Sequence, residues 1–216
     1  MIRNLILLPI AVLLLFVAYS YDTINQVSLG YYEEKIETKI HQYEEEIIKM
    51  FEDDAFIEKA ISFDFTDAEL SQLEKLSSND YSIFIYQKPD SLVFWTSNKI
   101  LPFDAEVDFS EEPISRFSTI KKGGYAVLNY PYKKGDKQYA LIGLIPITQQ
   151  YAIQNEYLVN GFTIIDNMPK EISLKFDLTN YEVNNLAGEP LFYLDAGNET
   201  YSDQNQQFLI LIFYLS

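Results

Sequence analysis

An α+β domain carried on one long N-terminal helix is the architecture this sequence predicts, and three observations carry it. An apolar run from Leu5 to Tyr21 passes, with no helix stop, into a charged stretch with heptad spacing. Apolar-aromatic segments of strand length then follow in pairs joined by turn-forming residues. Four such strands after a long helix predict an antiparallel sheet covered on one side by helices. The boundaries read as 1–4 for a short start, 5–21 for a membrane helix, 22–60 for a long helix continuing from it, 61–205 for the domain, and 206–216 for the start of a second membrane helix.

The first element is read from transfer energies. Leu5, Ile6, Leu7, Leu8, Ile10 and the run Val12 to Val17 each favour the bilayer centre by about 0.3–0.6 kcal/mol, about 3–7 kcal/mol in sum, with no charge to oppose them. Tyr19 and Tyr21 fall where interfacial aromatics sit, and the stretch approaches the length of a hydrocarbon core. Arg3 precedes it and Asp22, Glu33 and Glu34 follow, which places the N-terminus in the cytoplasm and the bulk of the chain outside. A cleaved signal peptide is the competing reading, since Ala18-Tyr19-Ser20 supplies small residues after the apolar core. The length of that core weighs against cleavage, as does the second apolar segment Phe208 to Ser216, which is too short to span a bilayer and reads as the opening of a truncated second helix.

The long helix is read from spacing. Ile36, Ile40, Tyr43, Ile47 and Met50, with Leu29 one step earlier, form a narrow seam, and Glu33, Glu34, Lys35, Glu37, Lys39, Glu44, Glu45, Glu46 and Lys49 form a solvated face. Val27 to Ile57 would rise about 45 Å. Such a helix pairs with its copy in a homodimer, packs on its own domain, or does both, the membrane-near part pairing; an ordinary amphipathic core helix is the plainer alternative. His41, the one histidine, reads as solvated.

Thr66 and Glu69 form a capping box for a shorter helix with Leu70, Leu73 and Leu76 on its apolar side. Tyr81–Tyr86 and Leu92–Ser97 read as one hairpin, Gly124–Tyr130 and Gln138–Ile147 as a stronger one, and 101–118 between them as an irregular excursion. Tyr151–Phe162 reads as a short helix, and Ile172–Leu178, Tyr181–Leu186 and Pro190–Leu194 as short strands.

Composition narrows the function classes. A formal charge of −16 and a pI near 4.3 exclude a nucleic-acid partner, which requires concentrated Lys and Arg. The absence of cysteine excludes disulfides, thiolate metal sites and thiol nucleophiles. With one histidine and no nucleophile-elbow or phosphate-loop motif, no catalytic, cofactor or metal site is expected. Stability falls to packing, for which 17 Tyr and 15 Phe supply aromatic area. A small-molecule pocket is the remaining candidate: Trp95, Ser97 and Asn98 at a strand end, with Tyr125, Asn129, Tyr130 and Tyr132 on the facing hairpin, join aromatic walls to directional polar groups. The alternative is that these are ordinary core and sheet residues.

The layout resembles the input regions of bacterial transmembrane sensor histidine kinases: a short cytoplasmic start, one membrane helix, a long helix, an extracytoplasmic sheet, and a second membrane helix. The stretches SLVFWTSN (91–98) and ITQQYAIQNEYLVNGF (147–162) are similar to those of such kinases from Bacteroides-type bacteria. The resemblance implies a PAS-like or Cache-like sensor domain in the periplasm, a lipid bilayer and a second copy of the chain as partners, a small-molecule ligand, and phosphotransfer motifs beyond Ser216. A membrane-anchored envelope binding or structural protein without signalling output is the alternative.

Overall fold

The computed structural model describes residues 2–69, 71, 81–100, 102, 107–150 and 161–196, with side chains on the first helix described at 13–17 and from 29 onward. Helix α1 runs unbroken from Ile2 to Phe51. It stops because Asp53 leaves the helical conformation and caps the next helix, its carboxylate accepting from the backbone N–H groups of Ala55 at 3.1 Å and Phe56 at 3.2 Å. That helix, α2, spans Asp54–Ser62 and ends on Phe63 in the left-handed conformation. The expected single helix to residue 60 is therefore two, because an N-cap outweighs the continuing apolar pattern. The capping box forms: Glu69 Oε2 accepts from the Thr66 backbone N–H at 2.8 Å, and Thr66 Oγ1 accepts from the Glu69 N–H at 3.4 Å. Leu70, Leu73 and Leu76 lie outside the described residues.

Two antiparallel sheets follow. In the first, the order is β2 (Ser91–Trp95), β1 (Ser82–Gln87), β5 (Lys137–Gln149), β4 (Gly123–Lys134), β3 (Ile114–Ile120), with the short β6 (Gly161–Phe162) on the end of β5. In the second, β9 (Pro190–Ala196) lies between β7 (Ile172–Lys175) and β8 (Glu182–Asn184). Both expected hairpins form, and Gly135 at φ 57 makes the two-residue turn from Lys134 to Lys137 that fixes the register of β4 on β5. Among the described residues the excursion is irregular at 102 and over 107–113; from Ile114 the chain is an edge strand, whose mixed sequence ISRFSTI hides its period. The helix expected at Tyr151–Phe162 falls mainly on residues outside the description, and its last two are β6.

The pleat sorts each strand's side chains onto two faces. Ile83, Ile85, Ala126, Leu128, Leu141 and Ile145 face α1, where Ile36, Ile40, Ile47 and Phe51 are buried among them. Burial of such a side chain contributes about 1.5–3 kcal/mol each. The opposite face carries Phe84, Tyr86, Tyr125, Val127, Ile142 and Leu144, covered by Ile100, Val107 and Phe109 from the β2–β3 connection. Gly143 opens the helix-facing side at one point: an added Cβ would stand 2.9 Å from Ile47 Cδ1. The seam read as a coiled coil is thus the core stripe of α1 on its own domain from Leu29 onward.

Residues 5–21 lie on the N-terminal part of α1. Among the described residues no helix is long and apolar enough to cross a membrane. The described side chains of that run, Leu13 to Val17, are 36–67% exposed.

Candidate functional site

The feature that joins the long helix to the rest of the domain is a polar seam. β8 is an edge strand, and its outward backbone groups face α1 rather than another strand. Glu37 Oε2 accepts from the Asn184 N–H at 2.7 Å, His41 Nε2 donates to the Asn184 carbonyl at 3.1 Å, and Glu44 Oε2 accepts from the Leu186 N–H at 2.7 Å. Glu37 and His41 lie one helix turn apart, about 6 Å, and reach the N–H and the carbonyl of the same strand residue, while Glu44, three positions on, reaches the N–H two residues further along the chain. An exposed edge that would template pairing with another chain is closed by side chains instead.

Glu44 is the centre of the seam. It is 1% exposed, its second carboxylate oxygen accepts from the Ser115 hydroxyl of β3, and the neighbouring Asn185 donates through Nδ2 to the Ser115 carbonyl at 3.1 Å. One side chain of α1 therefore ties β3 of the first sheet to the β8–β9 turn of the second. Burial raises the Glu44 pKa, against the lowering by the Ser115 and Leu186 hydrogen bonds and by His41. Glu33, one turn before Glu37, is raised by burial and by the Glu37 charge, with a backbone hydrogen bond from Glu182 opposing.

The sequence pattern places Glu37 and Glu44 on a solvated face and His41 in solvent; instead Glu37 and His41 hold β8, and Glu44 holds the turn that follows it. A signal existed: 37, 41 and 44 repeat the spacing of the core stripe 36, 40 and 43, shifted by one residue. Nothing in the sequence separates them from Glu34, Glu45 and Glu46, because their partners lie more than 140 positions away.

The seven residues considered for a pocket are dispersed. Trp95 is on edge strand β2, 46% exposed and beside the Phe63 ring at 6.4 Å. Ser97 is buried and accepts from the Lys99 N–H, while Asn98 is exposed. Tyr125 and Asn129 lie on the face away from α1; Asn129, 1% exposed, accepts from the Asp108 N–H at 3.2 Å and pins the covering segment. Tyr130 and Tyr132 lie on the helix side, against Phe51 at 5.9 Å and Tyr139 at 6.2 Å. Burial, then Asp54 and Glu58, raise the Tyr132 pKa. β1 and β5 separate β2 from β4, about 14 Å at the usual spacing.

Concavities among the described residues include two open ones. A shallow cleft of about 700 Å³ runs along α1 past Tyr31, Lys35 and Lys39 to Ile164 and Asp166. A second, of about 440 Å³, lies between the β3–β4 turn and β7. No group of three or more His, Asp or Glu side chains that could hold a metal ion occurs among the described residues. No family model, curated protein or solved structure matches the chain.

Proposed function

We propose that the chain is the extracytoplasmic input region of a membrane receptor, of the sensor histidine kinase type. The observation that carries this reading is the continuity of α1, one helix from the apolar run at its start to the core of the domain at Phe51. A rigid rod fixed in lipid at one end, and gripped at the other by both an apolar stripe and a polar seam, transmits small displacements rather than absorbing them. Ligand binding would favour one of two placements of the sheets on the helix by its differential affinity for them. Because the α1 stripe from Leu29 onward faces its own core, pairing of two receptor copies falls to the helix before Leu29. The helix-backed antiparallel sheet is the PAS-like or Cache-like module of this reading.

The test is phosphotransfer by the intact gene product. Membranes containing it, incubated with labelled ATP, are expected to yield acid-labile, base-stable phosphate on a histidine of the same polypeptide. A gene product with no such label, in membranes where a known histidine kinase is labelled, overturns the receptor reading.

A further inference from the structure

We propose that the cavity between the β3–β4 turn and β7 binds a small organic anion with a flat apolar body, of the aryl-carboxylate class. The assignment stands on the cavity and does not depend on the receptor reading. At about 440 Å³ the space falls within the range of small-molecule sites. Its charge is the reverse of the chain's. Acidic residues outnumber basic ones 32 to 16 overall, yet among the described residues Lys121 and Lys122 both line the cavity and no Asp or Glu does. Neither lysine makes an ion pair among the described residues.

The apolar wall is built and anchored. Phe117 packs edge-on against the fully buried Phe192 at 5.5 Å and against Phe176 at 5.3 Å, and Phe176 is 65% exposed. Phe162 adds a third ring to the lining. The floor requires glycine: a Cβ on Gly124 would stand 2.5 Å from Phe117 Cζ and 2.6 Å from Thr148 Oγ1. Its absence lets the Gly124 N–H donate to Thr148 Oγ1 at 3.2 Å and lets the ring close over the backbone. Lys121, at φ 55, takes the left-handed conformation of the two-residue turn between β3 and β4. A carboxylate beside the turn would meet two ammonium groups while its ring lay against Phe117 and Phe176. A neutral isostere would keep the ring contact and lose the ammonium contacts.

The experiment uses the full chain in lipid nanodiscs with phenylacetate as probe, followed by saturation-transfer NMR, with phenylacetamide, acetate and inorganic phosphate as comparisons. Saturable phenylacetate binding is expected, weakened about 10-fold by Lys121→Gln with Lys122→Gln and about 3-fold or more by Phe176→Ala, with phenylacetamide and acetate each binding more weakly. These side chains are exposed, and unchanged far-UV circular dichroism confirms that the variants fold. The proposal is overturned by no saturable binding up to about 10 mM, by phenylacetamide binding as well as phenylacetate, by an unchanged affinity in the double lysine variant, or by phosphate competing as strongly as phenylacetate.

Discussion

Replacing Glu44 separates its hydrogen bonds from its charge. Glu44→Ala leaves the Leu186 N–H and the Ser115 hydroxyl without their acceptor and empties space at a site 1% exposed. A donor left unpaired in a buried setting costs about 1–3 kcal/mol, and relief of the carboxylate's own desolvation offsets part of the loss. The expected net destabilisation is about 2–4 kcal/mol, or roughly 5–15 °C in Tm for a domain of this size. Glu44→Gln is different. Its amide oxygen can accept from Leu186 and its amide nitrogen can donate to Ser115 Oγ, so no bond is lost and the burial cost of a charge disappears; stability is expected to stay within about 1 kcal/mol of wild type at neutral pH. The pH dependence adds an independent check. A carboxyl whose folded pKa lies above its unfolded value binds its proton more tightly when folded, so it adds stability as pH falls through the interval between the two. Urea denaturation followed by circular dichroism should therefore show wild type gaining on Glu44→Gln as pH falls from neutrality toward 4.5. Equal losses in the Ala and Gln variants, with a flat difference over that pH range, would refute the assignment of Glu44 as the buried link between helix and sheets.

Three further outcomes follow from the same geometry. Asp53→Ala removes the acceptor of two α2 N–H groups and is expected to cost about 1 kcal/mol by urea denaturation. Gly143→Ala drives a Cβ to 2.9 Å from both Cδ1 and Cγ2 of Ile47 and should cost about 1–3 kcal/mol; adding Ile47→Val, which removes Cδ1 and keeps Cγ2, should return part of it, so that the two changes are not additive in a double-mutant cycle. Glu69, hydrogen-bonded first by Lys59 and then by the Thr66 backbone, has its pKa lowered from 4.5 to about 2, so its contribution is present above 4.5 and lost as pH falls toward 2. Lys59→Met should return that titration toward 4.5 by NMR.

Local pattern carried much of the fold. Both hairpins announce themselves through alternating aromatic strands and short polar turns, and the capping box at Thr66 is a spacing rule that the structure realises. The core stripe of α1 was legible as a stripe, but its partner was not: heptad spacing is the same whether a helix faces its copy or its own sheet. Asp53 is a cap only once the chain turns there. Strand β3 carries no legible pattern, because an edge strand half-exposed on both faces has no strong period. The site was the least legible part. Tyr125 and Tyr130 sit on one strand, but odd spacing puts them on opposite faces, and the polar seam joins residues so far apart in sequence that no local rule relates them.

We propose that α1 is a post set in a membrane with the sheets outside, and site-specific labelling tests this most directly. The chain has no cysteine, so single substitutions report topology directly. Asn4→Cys and Ser91→Cys, probed on intact cells with a membrane-impermeant maleimide, are expected to differ: Ser91→Cys, on an exposed strand position, should label at once, and Asn4→Cys only after permeabilisation, with both proteins retained in membranes after alkaline carbonate. Recovery of the chain in the carbonate-soluble fraction, or equal labelling of both positions in intact cells, would contradict the account.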